Sequence, residues 1–131
     1  MKIGKYKDGG IDSHVSGWFI ESKRFATAAL LHFAPGSREA FHSHAFNCIS
    51  LILGPGYLEE HFYDGRIRVH RPGKVLRTYR DDLHKVYSHG DVYVLTLRGP
   101  WRASWLDVVN DKAYELTHGR RVVAVRRIVN E

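Results

Sequence analysis

A single cysteine, a single methionine and four prolines among 131 residues mark what this chain lacks. One cysteine excludes an internal disulfide framework and any thiolate zinc knuckle, both of which need cysteines in pairs, and it fits a reducing compartment. No apolar run approaches the eighteen or so residues of a membrane-spanning helix. The opening MKIGKYKDGG has none of the apolar core of a secretory leader, so the expectation is a soluble, cytoplasmic protein with no membrane partner. Convincing amphipathic helices are missing too, as are internal repeats and low-complexity segments.

What is present suits one compact unit. A length of 131 residues with 44% hydrophobic side chains fits a single domain, residues 1–131, with a real core. Lys and Arg outnumber Asp and Glu 20 to 14, a formal charge of +6 that favours anionic partners. Much of the excess lies in Arg66, Arg68, Arg71, Lys74, Arg77 and Arg80 and in Arg120, Arg121, Arg126 and Arg127, where it flanks or alternates with apolar residues. That is how exposed faces and edges of sheets are kept from aggregating. No nucleic-acid motif accompanies the charge, so a small molecule is expected as partner and nucleic acid is not.

In chain order the sequence predicts short strands between turns. A turn at Lys7–Gly10 precedes a strand over Gly17–Glu21, and Phe25–Phe33 is a second strand ending in the turn Ala34-Pro35-Gly36-Ser37. Phe41–Leu53 is the expected central strand, stopped by Gly54-Pro55-Gly56, with Tyr57–Tyr63 returning as its hairpin partner. Further strands are expected over Arg66–His70, Lys74–Tyr79, His84–Tyr87, Val92–Leu97, Ser104–Val109 and Arg121–Val129, with turns at His89-Gly90-Asp91, Gly99-Pro100 and His118-Gly119. About ten short strands without helices predict an all-β antiparallel barrel of jelly-roll type.

Within this pattern His42-Ser43-His44 stands at the mouth of an apolar strand. Residues i and i+2 of a strand share a face, so both imidazoles would enter one volume. Two rings facing an apolar interior would cost on the order of 1–3 kcal/mol each unless hydrogen bonds or a metal satisfied them. Neutral imidazole binds zinc or iron at about 2.0–2.1 Å, and a pair cannot close a site, so a third ligand must come from elsewhere. By itself such a pair on a strand is more often an exposed or hydrogen-bonded couple than a metal site. His14, His32, His61, His70, His89 and His118 have no partner pattern and are read as surface or structurally satisfied histidines.

The stretch Gly36, five residues, His42-Ser43-His44, then an apolar strand and a glycine turn, resembles the first motif of the cupins. Gly73 to His84 keeps the spacing of the second cupin motif, with Tyr79 in place of its proline and Asp81 in place of a glycine. The phrases HSHAFNCISLILGPGYLEE and LRGPWRASW are similar to those of compact single-domain cupins, and the resemblance spans roughly Trp18 to Val109. It implies a jelly-roll fold, a homodimer, and a divalent metal held by His42, His44 and His84. The glutamate that usually follows the second histidine is replaced by Asn47, Cys48 and Ile49. A three-histidine set of this kind resembles that of thiol dioxygenases and related Fe(II) cupins; alternatively Cys48, Asn47 or Glu59 supplies a fourth ligand, or the site has decayed.

Three functions follow. The first is an Fe(II) oxygenase acting on a small anionic metabolite, with Arg38 binding its carboxylate. The second is a metal-assisted isomerase, epimerase or lyase of a sugar or keto-acid, using Zn, Mn or Ni as well as Fe(II), in which Glu59 or Tyr57 moves a proton. The third is a non-catalytic ligand- or partner-binding cupin.

Overall fold

The computed structural model describes residues 1–8, 13–37, 41–44, 46–101, 104–109, 112–117 and 121–127, and of His42 and some other strand residues the backbone alone. These residues form twelve strands and no helix. The strands are β1 (Lys2–Lys7), β2 (Val15–Glu21), β3 (Thr27–Phe33), β4 (Gly36–Ser37), β5 (Phe41–His42) and β6 (Cys48–Phe62). They continue with β7 (Ile67–His70), β8 (Val75–Thr78), β9 (His84–Arg98), β10 (Ser104–Val109), β11 (Lys112–Thr117) and β12 (Arg121–Arg127).

Two long strands organise the rest. β6 and β9, 15 residues each, run antiparallel along their whole length, from Cys48 opposite Arg98 to Phe62 opposite His84. Midway the register shifts at Gly54-Pro55-Gly56, facing His89-Gly90-Asp91. The backbones come so close there that a Cβ on Gly56 would lie 2.2 Å from the His89 carbonyl oxygen, and Gly90 holds φ +84°. The pair thus carries on from one layer to another. Residues 48–52 and 92–98 extend through β3, β2 and β1 on one side and β8 on the other. Residues 57–62 and 84–89 join β7 on one side and β4, β5 and β10 to β12 on the other.

This all-β, jelly-roll-like arrangement differs from the expected barrel in one respect. Among the described residues no ladder closes the layers on each other, and β1, β7, β8 and β12 remain edges. The segments called hairpin turns at Gly54-Pro55-Gly56 and His89-Gly90-Asp91 are bends inside single strands. Tyr57–Tyr63 therefore does not fold back on Phe41–Leu53; it continues the same strand, and both halves pair with β9. The expected central strand is also interrupted, because β5 ends at His42 and β6 begins only at Cys48. The strands β1 and β11 were not foreseen, and the turn at His118-Gly119 lies outside the described residues.

Side-chain alternation decides what faces inward. In β6 the even positions Ser50, Ile52, Leu58, Glu60 and Phe62 are buried, and in β9 His84, Ser88, Val92, Val94, Thr96 and Arg98 are. Ile52, Leu58, Val92 and Val94 pack with Val15, Phe19, Ala29 and Leu31 as the main core. Phe46, Trp105 and Leu116 form a second, aromatic cluster with Trp101 against it.

Candidate functional site

Between the layers lies a cavity of about 220 Å³, with a polar cluster at His44, Glu60, His70 and His84. Strand parity supplies two of these. Glu60 from β6 and His84 from β9 are both inward and each is 4% exposed. His70 ends β7 directly opposite inward-facing Leu58 and is 2% exposed.

Glu60 joins the histidines. His70 donates from Nε2 to Oε1 at 2.8 Å, and His84 donates from Nδ1 to Oε2 at 2.5 Å. Burial pushes the Glu60 carboxyl up, but hydrogen bonds from His70 and His84, with their electrostatic pull, outweigh it and lower its pKa from 4.5 to about 2. The carboxylate is therefore ionised across the physiological range and acts as acceptor only. With the His84 proton committed to Glu60, Nε2 of His84 presents a lone pair, and it lies 2.8 Å from Nε2 of His44. The rings meet edge to face with centroids 4.9 Å apart.

His44 is aimed by its loop rather than by a strand. Ser43 N donates to Leu106 O at 2.8 Å, Leu106 N donates to Ser43 Oγ at 2.8 Å, and His44 N donates to Arg80 O at 3.2 Å. Asn47 fixes the same loop, its Oδ1 accepting from Arg80 N at 2.8 Å, and it is exposed rather than turned to the cavity. Phe46 packs on the His44 ring at 5.2 Å between centroids. Cys48 is half-buried and lines the cavity, with Ser50 Oγ 4.0 Å from its sulfur.

Of the residues singled out from sequence, His44 and His84 come together in the interior. The His42 backbone is paired directly opposite His84 in the β5–β9 ladder, while its side chain lies outside the described part. Arg38 also lies outside the described residues. Tyr57 and Glu59 are corrected: they do not line the cavity, because odd positions of β6 face away from it. Glu59 instead pairs with His61 Nε2 at 2.5 Å and His89 Nε2 at 3.0 Å, and Tyr57 stacks on His89 at 4.5 Å. The residues that sequence reasoning passed over are Glu60 and His70. Reading Cys48–Phe62 as one strand, with the parity of Ser50 and Ile52 carried forward, would have turned Glu60 to the same face.

On the wall of the same cavity Arg98, 5% exposed, forks onto Asp8, with Nη2 to Oδ2 at 2.6 Å and Nη1 to Oδ1 at 3.3 Å. Among the described residues no three His, Cys, Asp or Glu side chains are arranged to hold a metal ion.

No protein-family model matches this chain, and no curated protein does either. Solved structures do match in shape. A sugar phosphate isomerase from a cupin superfamily, from Silicibacter pomeroyi, covers 95% of this chain and 88% of its own at 12% identity and a TM-score of 0.63. KdgF from Halomonas sp. covers 71% and 86% at 17% identity, TM-score 0.56, and an RmlC-like cupin from Shewanella frigidimarina covers 77% and 86% at 16%, TM-score 0.58. The fold is thus that of the cupin superfamily. At such identities the likeness concerns the fold and not the reaction.

Proposed function

We propose that this protein is a metal-dependent cupin enzyme acting on a small molecule in the 220 Å³ cavity. The observation that carries the reading is the pair of Nε2 atoms of His44 and His84, 2.8 Å apart in the interior, with the second held in the correct tautomer by Glu60. A buried carboxylate that fixes a histidine's other nitrogen is the usual support of a metal ligand. Two bonds of about 2.1 Å to one ion accommodate a separation of this size. His42, on the strand register opposite His84, completes the donor set in this reading.

A divalent ion on three neutral imidazoles, Fe(II) first and Zn, Mn or Ni as alternatives, would supply Lewis acidity and, for iron, oxygen activation. The chain's own residues do the rest. Glu60 orients His84 and keeps its proton away from the site, Phe46 and Val94 exclude water, and the cavity, below the usual ~300–1,000 Å³ of ligand pockets, restricts the substrate to a small molecule. Oxygenase chemistry on an anionic substrate is the finer proposal, since uncharged ligands leave the ion's charge available to an anion. The test is oxygen uptake by anaerobically Fe(II)-loaded protein offered small thiols and keto-acids. Uptake that His44→Ala abolishes is the expected result; bound metal with no uptake for any of them would leave the isomerase chemistry named for the Silicibacter pomeroyi neighbour.

A further inference from the structure

We propose that Arg98 is the anion-reading end of the cavity, and that it takes the carboxylate of a small, largely apolar acid in the place now held by Asp8. The inference deepens the reading of the cavity as a substrate site, since it names the acid end of the molecule bound there.

Arg98 is the last residue of β9, inward by the strand's parity, and its side chain is 4% exposed. An ionised guanidinium this deep requires an anionic partner. The partner is Asp8, which follows β1, is 30% exposed and lines the cavity beside Arg98. The two make the bidentate contact that a free carboxylate would make. Asp8 is therefore an internal stand-in for a ligand's acid group, held from the more exposed side. The arginine is not fully used by it: Nε is buried and has no partner among the described residues.

The surroundings suit an acid with an apolar body. The guanidinium stacks over Phe46, with Cζ 4.5 Å from the ring centroid, and over Phe19 at 5.3 Å, which fixes its plane. Leu31, Val94 and Trp105 line the space beyond. Lys23, also on the cavity wall, lies 4.6 Å over the Trp101 ring and adds a second positive charge. Phe46 touches both Arg98 and the His44 ring, so the acid end and the histidine pair are one aromatic ring apart. A short acid bound on Arg98 would reach the histidines with its other end.

The probes are 3-phenylpropanoate and its uncharged amide, 3-phenylpropanamide, titrated calorimetrically into the protein as purified and again after chelation. Asp8→Asn keeps the shape and removes the competing charge, and it should tighten acid binding roughly tenfold or more while leaving the amide unchanged. Adding Arg98→Gln to Asp8→Asn should abolish the preference for the acid; should that variant fail to fold by circular dichroism, Arg98→Lys in the same background should lose most of it. Acid binding that persists after chelation and follows Arg98 supports the proposal whatever the fate of the metal. Equal responses to acid and amide in Asp8→Asn, or acid binding that disappears with the metal but survives at Arg98→Gln or Arg98→Lys, would overturn it.

Discussion

Glu60 is the residue through which the histidine cluster is held in place. Replacing it by glutamine removes the negative charge that His70 and His84 share and leaves two buried rings imperfectly paired. Loss of such a supporting carboxylate commonly lowers metal affinity 10–100-fold, and Glu60→Gln is expected to do so in a zinc or iron titration. The same residue sets an acid limb of stability. Its pKa is depressed in the folded chain, from 4.5 to about 2, so its contribution is complete above the unfolded value and fades as pH falls through the folded one. The shift corresponds to something on the order of 3 kcal/mol. Urea melts at pH 7 and near pH 2 should converge for wild type and Glu60→Gln at the acid end and separate at neutral pH; a constant separation would contradict this origin.

At the scale of elements, the β6–β9 ribbon explains both what was legible in the sequence and what was not. Alternation located β2, β3, β7, β8 and β10 to within a few residues, and β2, β7 and β8 are each followed by a local turn; the turn expected at Ala34-Pro35-Gly36-Ser37 is instead a break after which Gly36–Ser37 stays paired to the same strand, β9, as β3. Gly54-Pro55-Gly56 and His89-Gly90-Asp91 carry the same turn chemistry yet bend strands that stay paired, a tertiary outcome that local composition does not encode. That one misreading moved the expected carboxylate from Glu60 to Glu59. His44 and His84 were legible because motif spacing survives; His70 and Arg98 were not, since only their strand partners turn them inward. The bend itself is testable. Gly56→Ala would force a methyl against backbone and should cost about 2–4 kcal/mol in thermal or urea unfolding, whereas Gly65→Ala, with open space around it and φ +95°, should cost about 1–2 kcal/mol of backbone strain.

For the whole molecule, the outer face of the first layer is the feature that the cavity does not explain. Trp18, Leu30, Leu95, Leu51 and Val75 are successive cross-strand neighbours from β2 to β8, and Ile3, Ile20, Ala28, Leu97 and Ile49 form the next row from β1 to β6. Trp18, Ile20, Leu95, Leu97 and Val75 are all exposed there. Lys5 opposite Trp18 and Arg77 opposite Ile49 border the two rows, which are uncharged between them, so a face of this kind suits the same face of a second copy stacked sheet on sheet. We propose that two copies pair on this face, and that Leu95→Lys with Leu97→Lys shifts such a dimer to monomer in sedimentation velocity. A wild-type protein that is monomeric at tens of micromolar would remove this expectation.

The fold is that of the cupins although no sequence model finds it, which places the burden of function on the few side chains that reach the cavity. Their central claim is that His44 and His84, with His42, hold one divalent ion. Elemental analysis by plasma mass spectrometry of protein purified without added metal, and again after incubation with micromolar iron, zinc, manganese or nickel, addresses it directly. The account predicts close to one ion per chain in the wild type and a loss of most of it in both His44→Ala and His84→Ala, each still folded by circular dichroism. Wild-type protein that holds no metal and takes none up, or variants that keep the ion in full, would contradict it.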